Sequence, residues 1–117
     1  IWIITHYLWG GYVLPLWAMK DIIAGLNKEF DNRVRLGIMS ILMVNEWVDF
    51  NTVKTLLNLT DGNLASHISA LEKTGYIEVK KEFVGKKPRT TYNATPEGKK
   101  AFRHHLDALE KLLKGNS

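Results

Sequence analysis

Between Leu59 and Tyr92 the chain reads LTDGNLASHISALEKTGYIEVKKEFVGKKPRTTY, and two groups of residues in it could do chemistry. The first is Asp61, Gly62, Asn63, Ser66, His67 and Ser69. If Leu64, Ile68 and Leu71, spaced i, i+4, i+7, face a core, these six are left facing out. Their side chains are short, polar or absent. Such a face lets a helix approach base edges closely, and an asparagine can pair bidentately with adenine. The second group is Lys80, Lys81, Lys86, Lys87 and Arg89, with Glu82 as the single acid among them. Positive charge gathered on a hairpin suits phosphates or a minor groove. Each group has a plainer reading. The helix can be an ordinary solvated one, and lysines also guard edge strands against aggregation, a task that Lys80 and Lys81 could serve alone. A small polar helix followed directly by a basic hairpin is nevertheless a way to hold duplex DNA. The helix enters the major groove and the hairpin grips the backbone.

Other chemistry is poorly supplied. There are no cysteines, which removes disulfides, thiolate zinc sites and cysteine redox switches. His104 and His105 are adjacent, and adjacent residues do not share a helix face, so no metal site is expected. The acids are scattered, with no paired carboxylates beside a glycine-rich loop and no Ser-His-Asp spacing. The sequence therefore points away from an enzyme and implies no cofactor. The net charge of +4 fits a polyanionic partner without requiring one.

The elements that must position these groups follow from periodicity. Ile22, Ile23, Leu26 and Phe30 predict a first helix over about residues 20–29. Asp31 is the candidate cap of a second helix, whose face is Val34, Ile38, Ile41 and Leu42 and which ends at Asn45 and Glu46. Asp49 can cap a short third helix, Phe50 to Leu57, with Val53, Leu56 and Leu57 inward. Trp47 and Phe50 read as core. Thr60 caps the fourth helix, and Gly75 stops it. Tyr76 to Val84 is strand-like, Gly85 to Pro88 is a hairpin tip and Arg89 to Ala94 returns. Thr95, Pro96 and Glu97 then open a last helix in the usual order of cap, proline and acid. Phe102, Leu106, Leu109 and Leu113 carry it to about Leu113. The fold class is mainly α with a two- or three-stranded wing.

The run LTDGNLASHISALEKTGYI resembles the reader helix of the MarR and ArsR superfamily of winged-helix regulators. A polar cap, small residues, a Ser-His-type pair and an L-E-x-x-G-hydrophobic ending recur there. DNRVRLGIMSIL resembles the second helix of the same proteins. VGKKPRTTYNATPEGKKAF is more similar still to the small, stand-alone winged-helix regulators, with a Lys-Pro-Arg-Thr wing and a Thr-x-x-Gly start to the last helix. The resemblance runs from about Asp21 to Leu113. It implies a winged helix-turn-helix transcription regulator with terminal dimerisation helices. Carried over by position, Thr60, Asn63, Ser66 and His67 match base- or phosphate-contacting positions, and Lys86, Lys87 and Arg89 match wing contacts. Double-stranded DNA is the implied partner, a homodimer through the first and last helices the implied assembly, and repression the implied outcome. Asp61 departs from the pattern, since a neutral polar residue is common there. It can read a cytosine amino group or cap the helix, and both remain open.

Residues 1–18, IWIITHYLWGGYVLPLWA, hold no charged side chain and three of the four tryptophans. They are read as an N-terminal extension, either upstream sequence or foreign to the natural protein, ahead of a start at Met19, so that 19–117 forms the winged-helix DNA-binding domain. A native apolar arm packing on a partner subunit and a membrane segment are the alternatives. Gly10, Gly11 and Pro15 interrupt the run, which is also short against the roughly 20 residues that a span requires. No membrane partner is expected, and a cytoplasmic location fits. A winged helix serving as a protein-interaction module, or a membrane-tethered regulator, are the rival functions.

Overall fold

A computed structural model describes residues 14–114. These form two compact units: residues through 28 together with those from 103 onward, and Glu29–Phe102.

In the first unit, helix α1 spans Leu16–Ala24. It begins and ends earlier than the apolar spacing predicts. Pro15 sits at its N-cap in an extended conformation, and the N–H of Gly25 closes its last turn. Residues 28–30, expected as its end, form a separate 3-10 turn, Lys28–Phe30, that buries Phe30 in the second unit's core. The domain boundary expected at Met19 falls inside α1, while residues 1–13 of the apolar run lie outside the described residues. The backbone N–H of Asn27 donates to His105 Nδ1 at 3.2 Å, and His105 is buried. Among the described residues, no helix is long and apolar enough to cross a membrane.

The second unit starts with α2, Arg33–Val44. Its cap is Asn32, not the expected Asp31. Asn32 Oδ1 accepts from the backbone N–H groups of Val34 and Arg35, at 2.8 and 3.3 Å, which meets two of the donors that a helix start leaves open. Ile38 and Leu42 are buried as expected, with Met39 beside them, while Val34 and Ile41 pack at the margin. A short strand, β1 (Val48–Asp49), precedes α3, Phe50–Leu57. Asp49 holds the N-cap position of α3 but bonds to Thr52 Oγ1 rather than to a backbone N–H. Val53 points into the core, and Leu57 packs against it. Leu56, expected inward, is 64% exposed. On an eight-residue helix only one narrow stripe reaches the core, and Leu56 lies off it.

Asn58, in the left-handed region at φ 53°, turns the chain into α4, Asp61–Thr74. Thr60 caps it, with Oγ1 accepting from the Asn63 N–H at 3.2 Å. Leu64, Ile68 and Leu71 are the buried stripe. Each contributes about 1.5–3 kcal/mol by leaving water. Gly75, at φ 87°, ends the helix.

Strands β2 (Ile77–Val84) and β3 (Lys87–Ala94) form an antiparallel hairpin, and β1 joins β3 on its other side in the order β1-β3-β2. The wing is therefore three-stranded at its base, where Val48 pairs with Tyr92 and Asp49 with Thr91. Beyond Thr91 it is a two-stranded ribbon. The turn is tighter than the expected Gly85-to-Pro88 tip: Val84 pairs with Lys87 and Phe83 with Pro88. Two residues, Gly85 and Lys86, make the turn, and Gly85 at φ 67° supplies the left-handed position it needs. Pro88 fits in the strand because the pair next to a two-residue turn's closing pair exchanges no hydrogen bonds. Its missing N–H faces the side that β1 does not reach. Phe30 packs at the base against Tyr76 and, edge-on, Phe102. Lys80 Nζ lies 4.8 Å from the centre of the half-buried Trp47 ring.

Helix α5 spans Pro96–Lys114. Thr95 ties its start to the end of α4. Its N–H donates to Tyr76 O at 3.0 Å, its hydroxyl donates to Gly75 O at 2.7 Å, and Oγ1 accepts from the Gly98 N–H at 2.9 Å. A Cβ on Gly98 would stand 2.0 Å from Tyr76 O, so only glycine permits this joint.

Candidate nucleic-acid interface

The outward face of α4 follows from its buried stripe. At about 100° per residue, the line opposite Leu64, Ile68 and Leu71 runs through Gly62, Ser66, Ser69 and Lys73, all exposed. Ala65 is exposed beside them. For about two turns this face carries nothing larger than a hydroxymethyl group, and it then ends in a lysine. A Cβ built on Gly62 meets no atom within 4 Å. Packing therefore gives no reason for a glycine there, although glycine in a helix costs about 0.5–1 kcal/mol relative to alanine.

Asn63 and His67, spaced i, i+4, lie on the flank turned toward α2. Asn63 is exposed and His67 half-buried. His67 Nδ1 accepts from Arg35 Nε at 3.2 Å, and the same guanidinium donates to Glu29 Oε2 at 2.8 Å. Burial first, and then the Arg35 charge, hold His67 below the usual imidazole pKa. Asp61 Oδ1 accepts from Lys54 Nζ of α3 at 2.6 Å. The exposed carboxylate is paired with a cation at the helix N-terminus, where the helix dipole also favours it. Thr60, exposed, has its oxygen engaged as the cap.

The wing is the second part. Residues 80–89 are exposed without interruption. Glu82 stands directly across from Arg89 in the register. The ion pairs among the described residues are Glu29–Arg35, Lys54–Asp61 and Glu110–Lys114, so none of them involves Lys86, Lys87 or Arg89. Phe83 is 74% and Val84 55% exposed near the tip. An edge guard alone does not explain apolar residues left open beside Lys86, Lys87 and Arg89.

The site residues expected from sequence thus divide. Ser66 lies on the outward line, Asn63 and His67 on one flank, Thr60 at the cap, and Lys86, Lys87 and Arg89 at the tip of the ribbon. Sequence reasoning left out Arg35, Lys54 and Lys73. Lys73 was within reach of it, being i+11 from Gly62 on the outward line. Arg35 and Lys54 were not, since each depends on how a separate helix packs.

A family model described as "Winged helix DNA-binding domain" matches residues 34–113. An uncharacterised protein of Methanocaldococcus jannaschii is 37% identical over 87 residues, covering 74% of this chain and 95% of that protein. A transcriptional regulator homologue from Pyrococcus horikoshii OT3 superposes with a TM-score of 0.73 at 33% identity, over 83% of this chain and 94% of its own. NadR, in a crystal structure with 4-hydroxyphenylacetate, superposes with a TM-score of 0.63 over 82% of this chain and 67% of its own. At 20% identity that likeness concerns the fold alone.

Proposed function

This chain belongs to the family of winged helix DNA-binding domains, and we propose that it is a transcription regulator that reads duplex DNA as a homodimer. The observation that carries the reading is the outward line of α4, Gly62, Ser66, Ser69 and Lys73, together with an exposed ribbon tip carrying Lys86, Lys87 and Arg89. The small face lets α4 lie deep in a major groove, where Asn63 and His67 reach base edges and Ser66 adds a hydroxyl. Lys86, Lys87 and Arg89 neutralise phosphates beside it. The similarity to a transcriptional regulator homologue of Pyrococcus horikoshii supports the regulatory role. Repression, by occluding polymerase, is the outcome that the family resemblance implies.

The homodimer reading rests on the first unit. Leu16, Trp17 and Ile23 of α1 and Leu106 and Leu113 of α5 are all exposed, Leu113 at 88%. Apolar area of this kind on two helices is ordinarily covered. A two-fold axis would set two α4 helices about 34 Å apart, one duplex turn, on a pseudo-palindromic site.

The test is selection from a random duplex pool by the purified protein, with and without residues 1–18, followed by sedimentation of the protein alone. A recovered site with two half-sites about 10 base pairs apart supports the reading. No enriched sequence, together with salt-insensitive capture of a protein, would favour the interaction-module alternative.

A further inference from the structure

We infer that Arg35, held by Glu29, is a positioning residue that presents His67 to DNA as a neutral ring with its proton on Nε2. The inference deepens the proposed reading of duplex DNA by α4 and rests on it. Arg35 Nε can only donate, because a guanidinium has no acceptor and keeps its proton in proteins. Its partner at 3.2 Å, His67 Nδ1, must therefore be the accepting nitrogen. In a neutral imidazole the proton then sits on Nε2. Glu29 Oε2 takes a second donor of the same guanidinium at 2.8 Å, which fixes the fork from behind. Arg35 and Glu29 are each about a quarter to a third exposed, so the pair is shielded but not sealed. The charged groups that meet His67 are Arg35 from α2 and, behind it, Glu29 from the 3-10 turn.

The consequence is a defined chemical choice. A His67 ring with its proton on Nε2 donates and does not accept there. It therefore suits an acceptor on the duplex: guanine O6 or N7, thymine O4, or a phosphate oxygen. It rejects the exocyclic amino groups of adenine and cytosine. A free histidine on a helix surface would sample both tautomers. Arg35 removes that ambiguity, and it also opposes a second proton on Nδ1, which would point at a donor.

The experiment combines imidazole nitrogen NMR with binding on the full chain. His67 signals are assigned by their loss in His67→Ala. In the wild type above pH 7 the Nε2–H tautomer should dominate. Arg35→Met should give a tautomer mixture and a higher His67 pKa. Arg35→Lys, which keeps the charge without the planar fork, should restore the pKa more than the tautomer. Binding is then measured on the selected duplex and on a random one of equal length. Arg35→Met and His67→Ala should each weaken the selected duplex about tenfold, and the double variant no further. If random duplex weakens equally, the acceptor is a phosphate; if it does not, the acceptor is a base edge. Should Arg35→Met fail to fold, Glu29→Gln, which loosens the fork, should shift the tautomer population the same way by less. A wild-type tautomer mixture, or additive losses in the double variant, would overturn the inference. A fixed tautomer in a protein that binds no duplex would overturn the functional reading and leave the geometry standing.

Discussion

Gly62→Ala should make the free protein more stable and the DNA complex weaker. The two signs have separate origins. In the free protein the new methyl meets no atom within 4 Å, and the backbone of α4 at this point is already helical. The gain is the helix preference of alanine over glycine, reduced by position in the first turn, at about 0.5 kcal/mol. For a domain of this size that raises the melting temperature by about 2–4 °C. In the proposed complex the same methyl stands on the line opposite Leu64, Ile68 and Leu71, the face of α4 that would lie deepest in a groove. A wall of base edges or phosphates at van der Waals distance has to yield to it, at about 1–3 kcal/mol, the cost of overpacking a filled space. That corresponds to roughly a fivefold to 150-fold weaker affinity. The assay is thermal unfolding of the free variant beside a titration of the selected duplex at fixed salt. A variant that gains stability and keeps wild-type affinity would refute the argument, since α4 would then not approach DNA by its small face.

Other consequences are as direct. Lys86, Lys87 and Arg89 replaced together by Ala should weaken selected and random duplex alike, with the salt slope falling by about 0.9 for each phosphate no longer neutralised; an unchanged slope removes the wing from the interface. Gly98→Ala should destabilise by about 2–3 kcal/mol in denaturant unfolding, because backbone must move where Cβ would meet Tyr76 O at 2.0 Å. Acidification should cost stability through His67: its folded pKa is lowered, so the unfolded chain binds the extra proton first. The loss sets in as pH falls through about 6.5 and is complete below the folded value, and His67→Gln should flatten it in unfolding curves measured from pH 7.5 to 5. Leu109→Glu with Leu113→Glu should leave a folded monomer in sedimentation with much weaker binding to the selected site; an unchanged dimer would place the interface elsewhere.

Legibility in the sequence tracks how local the determining interaction is. Thr60, Gly75 and the stripe Leu64, Ile68, Leu71 act within one helix, and each stands where spacing puts it. Thr95 and Pro96 open α5 for the same reason. The first helix is displaced from its expected span because apolar spacing alone runs Phe30 into it. The 3-10 turn lets Phe30 reach Tyr76 and Phe102, a packing of distant segments that periodicity cannot register. Asn32 replaces Asp31 as the cap because two equally suitable residues stand side by side and geometry chooses between them. Leu56 is core by type and exposed by angle. In the candidate site the residue types of α4 and the wing are readable. Their partners are not. Lys54 beside Asp61, and Arg35 with Glu29 behind His67, come from other elements and decide the charge and proton placement of the residues that sequence singles out.

The ribbon from Lys80 to Arg89 has a consequence for how such a chain can diverge. Ten consecutive residues there share almost nothing with the core. Gly85 apart, which the turn needs, substitutions in that segment should cost the fold little, so drift and selection act on them mainly through grip. Two descendants with the same interior could differ widely in how tightly, and at what salt, they hold a polyanion, while melting at the same temperature. The outward face of α4 is also open, but a change there has to keep the helix that carries Leu64, Ile68 and Leu71. A change of grip at the tip can therefore leave the interior as it is.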